Sequence, residues 1–116
     1  MEKLPKSYDL RKMFFKELSS SPGVYKFINL KKEPIYIGKA KNIRRRVFTY
    51  FQEPSNRNKK LNNLIKEAKY LDITLTNSEL EALLLEQNLI KQNKPKFNVQ
   101  FKDDKGYPWI KIEDSK

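Results

Sequence analysis

The period of the apolar positions changes several times along this chain, and each change predicts an element. Leu10, Met13, Phe14 and Leu18 recur at near-helical spacing, which predicts a short amphipathic helix over 8–19. The run SSSPG (19–23) breaks it. GVYKFIN (23–29) alternates and is rich in Val, Tyr, Phe and Ile, so it predicts a strand; IYIGKA (35–40) predicts a second. The short polar link NLKKEP between them makes the pair an antiparallel hairpin.

Asn42 has the right chemistry to cap a helix over IRRRVFTYF, where Ile43, Val47, Tyr50 and Phe51 share one face. QEPSNRN is a loop. KKLNNLIKEAKYL (59–71) places Leu61, Leu64, Ile65, Ala68 and Leu71 on one helical stripe, and DITLT (72–76) predicts a third strand. Ser78 and Glu81 form an S-x-x-E capping box for a helix that runs to about Gln92 and is ended by Asn93, Lys94 and Pro95. Two strand-like runs, FNVQF and YPWIKI, follow around the turn-like KDDKG. There is no internal repeat and no low-complexity linker. A length of 116 residues suits a single domain, 1–116, with its core at about 20–100. The stop just after a strand-like run leads us to expect an N-terminal fragment of a longer protein.

Cysteine and histidine are both absent, which excludes disulfides and zinc sites built on either residue. The commonest general base and the cysteine nucleophile go with them. An enzyme on this chain must use carboxylate, Tyr, Lys, Arg, Ser, Thr or a hard cation such as Mg²⁺. MEKLPKSYD lacks the apolar core of a signal peptide, and no apolar stretch approaches membrane-spanning length. The expected location is therefore intracellular, in the cytoplasm.

Charge sharpens this picture. The formal net charge is +11, and residues 39–69 hold ten cations against two acids. Scattered solvating charges do not concentrate in this way. Lys39, Lys41, Arg44, Arg45, Arg57, Lys59 and Lys60 are the candidate phosphate-backbone contacts, interleaved with Tyr36, Phe48, Tyr50 and Phe51. Such contacts position a nucleic acid without reading its sequence, and they weaken steeply with salt.

Glu86 stands out as a carboxylate whose helical neighbours Ala82, Leu83, Leu89 and Ile90 are all apolar. It is either a rim residue paired with a cation or a metal ligand at the edge of a cleft; one carboxylate with water and phosphate oxygens suffices for Mg²⁺. Tyr25 and Tyr36 lie on facing strands of the hairpin. They are either core rings or, near several cations, phenols whose pKa falls from about 10 far enough to act as a base. Arg46 and Tyr50, four apart, share a helical face.

GVY (23–25) and YIG (36–38), ten residues apart, are similar to the two halves of the GIY-YIG nuclease signature. Arg46, Tyr50, Glu86 and Asn98 then follow in the order of that family's helix positions, metal-binding glutamate and late asparagine. IYIGKAKNIRRRVFTYF, EALLLEQNLIKQNKPKFNV and KDDKGYPWIKI narrow the resemblance to the N-terminal domain of the UvrC branch, the nuclease subunit of the bacterial UvrABC excinuclease. The similarity spans nearly the whole chain from about Ser20. GVY replaces GIY, as is usual in this branch.

The resemblance implies an α+β fold, a small three-stranded, mainly antiparallel sheet flanked by helices. It implies a Mg²⁺- or Mn²⁺-dependent DNA endonuclease that makes the 3′-side incision in nucleotide excision repair. The substrate would be damaged double-stranded DNA, with UvrB as partner and UvrA upstream. Glu86 would hold the metal, Arg46 would stabilise charge on the phosphoryl group, and Tyr36, with Tyr25 second, would be base or water-orienting group. Lys39 would lower the Tyr36 pKa, Tyr50 would bond the phosphate or its water, Gly38 would admit a close approach of backbone or DNA, and Asn98 would tie the late segment to the site. The rival readings are another GIY-YIG repair nuclease and a catalytically silent DNA-binding module.

Overall fold

The computed structural model describes residues 5–52 and 59–99. Arg57, the KDDKG turn and the YPWIKI run lie outside the described residues, as do most of the QEPSNRN loop and the end of FNVQF.

The elements are β1 (Lys6–Asp9), a 3₁₀ turn (Phe15–Glu17), β2 (Gly23–Ile28), β3 (Pro34–Ala40), α1 (Ile43–Tyr50), α2 (Lys59–Glu67), β4 (Tyr70–Leu75) and α3 (Glu79–Asn93). The strands form one sheet in the order β1-β4-β2-β3. All three strand pairings are antiparallel. The fold is α+β, as expected, but the sheet has four strands rather than three.

The fourth strand comes from the segment expected to be a helix. Residues 6–9 pair with Ile73–Tyr70, and Ser7 donates its hydroxyl to Asp72 at 2.6 Å. Asp9 then turns the chain. Its carboxylate accepts from the Arg11 amide at 2.9 Å and pairs with the Arg11 guanidinium at 2.9 Å, and its carbonyl accepts from Lys12 and Met13. Those bonds hold the Asp9 carboxyl down at about 2. A twelve-residue helix is marginal alone, and the open edge of β4 offers its backbone a better set of partners. Only the 3₁₀ turn survives of the helical pattern. Tyr70 and Leu71 likewise belong to β4, not to the preceding helix, because they pair with Ile28 and Phe27 of β2.

The hairpin and the helix caps form as the pattern predicts. Asn42 accepts from the Arg45 amide at 3.0 Å, and Ser78 from the Glu81 amide at 3.1 Å. Glu81 reaches back to the amide of Asn77, one residue before the cap. Lys94, in the left-handed region at φ 43°, closes α3 by donating its amide to Ile90.

Alternation along β2 divides the core between the two sheet faces. Tyr25 and Phe27 point toward α1 and α2, into a cluster with Leu18, Ile43, Val47, Leu64 and Leu71. Val24, with Ile37 of β3, points the other way onto Ala82, Leu85, Leu89 and Ile90 of α3. The tail end of the described chain is fixed three ways. Phe97 is buried, Lys96 pairs with Glu67 of α2 at 2.9 Å, and Asn98 reaches β3. Among the described residues no helix is long and apolar enough to cross a membrane.

Candidate active site

β3 is an edge strand, and the outward amides of an edge strand need partners. One side chain meets both main-chain groups of a residue there: Asn98 accepts from the Ile37 amide at 2.8 Å and donates to the Ile37 carbonyl at 2.9 Å. Glu86 of α3 lies near enough for Lys39, two residues further along the strand, to act on its carboxyl. The free edge of β3 is thus where the two sheet faces meet, and the candidate residues gather there.

From the α1 face come three tyrosines. Tyr25 and Tyr50 share a hydroxyl–hydroxyl hydrogen bond of 2.7 Å. Tyr36 completes the group, its ring centroid 6.4 Å from each of the others. Tyr25 is buried; Tyr36 and Tyr50 are partly exposed. Register explains their convergence. Tyr25 lies opposite Gly38 and Phe27 opposite Tyr36, so both tyrosines occupy one face, and Tyr50 on the last turn of α1 meets them.

Burial pushes all three phenols above their ordinary value of 10, with the neighbouring phenols adding to the rise and Arg46 opposing it. The expectation of a lowered tyrosine pKa is therefore overturned for the metal-free protein, because removal from water outweighs the nearby cations. The Lys39 charge bears on Glu86, whose carboxyl it pulls down.

Gly38 also has a purpose beyond the one expected. A Cβ there would run into the hydroxyl and Cζ of Tyr25. The missing side chain makes room for the tyrosine ring to lie across the strand, in addition to any space it leaves for a substrate.

From the α3 face comes Glu86. Of its apolar neighbours, Ala82 is buried against the sheet while Leu83 stays 37% exposed, so the stripe is narrower than the spacing suggests. Partial burial raises the Glu86 carboxyl above its ordinary value. A hydrogen bond from Gln87 at 3.2 Å, the Lys39 charge and amide, and Arg46 all pull it back down. Sequence reasoning missed Gln87; its only signal was adjacency to Glu86. A carboxylate left short of compensation beside two phenols and below an exposed guanidinium suits a hard cation. No group of three or more acidic, His or Cys side chains occurs among the described residues. A metal here would take one protein carboxylate and fill its remaining positions with water and phosphate oxygen, as Mg²⁺ prefers.

The cations divide into two sets. Lys39, Lys41, Arg45, Arg46 and Lys59 are exposed, and Lys60 is half-buried. Arg44 is committed elsewhere. Its Nε donates to the Leu18 carbonyl at 2.9 Å and its Nη2 to that of Lys16 at 3.1 Å. It clamps the 3₁₀ turn onto α1, a structural use that corrects its expected place among the phosphate contacts.

Comparison with known proteins agrees with this arrangement. Residues 21–99 match the model of the UvrC-like GIY-YIG domain family. The UvrABC system protein C of Cytophaga hutchinsonii is 53% identical over 102 residues, covering 88% of this chain and 17% of that protein. That of Carboxydothermus hydrogenoformans is 47% identical over 97 residues, 84% of this chain and 16% of the other. The chain spans about a sixth of the length of these curated relatives. Among solved structures, the GIY-YIG N-terminal endonuclease domain of UvrC from Thermotoga maritima, bound to its catalytic divalent cation, magnesium, superposes with a TM-score of 0.65. It is 37% identical and covers 74% of this chain and 97% of the other. An asparagine-to-alanine variant of that domain, also bound to its catalytic divalent cation, matches with a TM-score of 0.64.

Proposed function

This chain belongs to the UvrC-like GIY-YIG domain family, and from that membership we propose that it is a metal-dependent DNA endonuclease domain that makes the 3′-side incision in nucleotide excision repair. The observation that carries the reading is the meeting of Glu86, Arg46 and three packed phenols at one strand edge beside exposed cations. It would act within a longer protein, on damaged double-stranded DNA delivered by UvrB after UvrA.

Glu86 would hold the divalent cation, Mg²⁺ or Mn²⁺. When bound, that ion supplies Lewis-acid stabilisation of the leaving 3′-oxygen. Arg46, exposed on α1, places a permanently charged planar fork against the phosphoryl oxygens as negative charge builds there. Tyr36 points its hydroxyl at the attacking water and orients it. Because burial keeps the phenols protonated, a Tyr36 that accepts the water's proton must first lose its own. Tyr25 and Tyr50, hydrogen-bonded to each other, hold the Tyr36 ring in place by packing against it. Water adds to phosphorus, the bond to the 3′-oxygen breaks, and the strand is left with a 5′-phosphate and a 3′-hydroxyl. Lys39, Lys41, Arg45, Lys59 and Lys60 carry the flanking backbone, and Asn98 keeps the late segment against β3.

The test is nicking of a lesion-containing duplex by the full-length protein with its partner subunits and Mn²⁺, comparing wild type with Glu86→Ala. A 3′-side cut lost in the variant supports the assignment. No cut from either protein, with salt-sensitive DNA binding intact, would leave a silent binding module.

A further inference from the structure

Among the described residues two large apolar rings stay in water, Phe48 at 47% exposure and Phe14 at 63%. Phe48 lies on α1, the helix that carries Arg46. Successive helical residues turn by about 100°, so Phe48 sits about 160° around the helix from Arg46, with Arg45 between them. Its ring is braced. Phe15 meets it in a T-shaped contact with centroids 5.2 Å apart, and Phe15 in turn leans on Phe51 at 5.6 Å. The segment that brings Phe15 there is fastened to α1 by the two Arg44 hydrogen bonds at 2.9 and 3.1 Å. Arg45, three residues before Phe48 on the same helix, is exposed, as is Lys16, next to Phe15 in the chain, with Glu17 the one acid in the 3₁₀ turn.

A braced ring, half in water, on a helix that carries exposed cations fits an anionic partner that presents a flat face. We propose that Phe48 is a stacking platform for an unpaired base of the DNA strand whose backbone crosses α1 from Arg46 over Arg45. The proposal rests on the nuclease reading for the position of that strand. Bases in a duplex cover one another's faces, so only an unpaired base can stack here, and any base can do so because every base has a π-face. A helix is about 10 Å across, and a strand advances about 3.4 Å per nucleotide, so the stacked base lies within about three nucleotides of the cut. The domain should therefore favour DNA that is unpaired next to the scissile phosphate.

The test uses this 116-residue chain and two probes, a 12-nucleotide single strand carrying 2-aminopurine and a blunt duplex of equal length. Phe48→Leu keeps an apolar side chain but no ring. It should weaken single-strand binding about 5- to 150-fold, the range for losing one base–aromatic stack, and change duplex binding less than about twofold. Phe48→Trp should bind the single strand at least as well as wild type and quench the 2-aminopurine. Equal losses on both probes would overturn the platform, as would no loss on either; the ring would then belong to a protein contact. Cutting by wild type and Glu86→Ala is scored separately. A single-strand loss in Phe48→Leu, with no metal-dependent cut from wild type, would keep the platform and discard the nuclease reading.

Discussion

The hydroxyl of Tyr25 is 2.7 Å from that of Tyr50, although the two residues come from a central strand and from the end of a helix. Both rings pack beside Tyr36, with centroids 6.4 Å from it. Removing the inner hydroxyl should matter less than removing the outer one. Tyr25→Phe keeps the ring against Phe27 and Tyr50, should cost about 1 kcal/mol of stability, and should slow single-turnover cleavage about tenfold. Tyr36→Phe should slow it by about 10²–10⁴, the range for loss of general acid–base help. Equal losses in the two variants would move the base role inward to Tyr25.

The raised phenols give the cleavage rate a direction with pH. At neutral pH they are protonated in the metal-free protein, so the fraction able to accept a proton grows as pH rises. The rate in Mn²⁺ should climb with pH through the neutral range, and Tyr36→Phe should flatten the climb. A wild-type profile that falls over the same range would exclude a phenol as base.

Glu86 makes the opposite test on stability. Its folded pKa is raised from 4.5, so its ionised form is the one the fold disfavours. The cost is absent below the unfolded pKa and fully present above the folded one. Glu86→Gln should therefore raise the metal-free melting temperature at pH 7, a gain of about 0.5–2 kcal/mol of the kind seen when function is traded for stability. It should also abolish the stabilisation that Mn²⁺ gives the wild type. Thermal melts with and without the ion read both effects.

Arg44 and Arg45 are neighbours with different duties. Arg44→Ala should lower stability by about 1–3 kcal/mol, since two backbone carbonyls lose a charged donor. Arg45→Ala should leave stability unchanged, weaken duplex binding and reduce the slope of log K against log salt by about 0.9. A melt and a salt titration on each variant separate the two.

Gly38→Ala should be damaging out of proportion to its size. The new methyl would occupy the place of the Tyr25 hydroxyl and Cζ, and overpacking of a core costs about 1–3 kcal/mol. The double variant Gly38→Ala, Tyr25→Phe relieves only the hydroxyl and should recover part of the loss. Full stability in the single variant would show that the ring has somewhere else to go.

Much of this was legible in the chain because it is local. Asn42 and Ser78 are caps whose partners lie three residues away, and the β2–β3 hairpin closes over a short link. What was not legible depends on distance. The strand Lys6–Asp9 exists because Ile73–Tyr70 lie beside it, and no spacing of Leu10, Met13, Phe14 and Leu18 reports that. Arg44 has the charge of a phosphate contact, but a sequence does not say which way a guanidinium turns. Glu86 was found because its chemistry clashed with its surroundings. The direction of the tyrosine shifts was missed because the charge count of the basic segment says nothing about how far the phenols are withdrawn from water.

The contacts of Asn98 with β3 are made to main-chain atoms of Ile37. Every amino acid other than proline presents the same amide there. The position of the late segment relative to the YIG strand is thus indexed to the polypeptide itself, not to a side chain along it. Residue 37 can be exchanged for another of similar size without displacing Asn98, so the spacing between the late segment and the strand can persist while the chemistry written along the strand drifts.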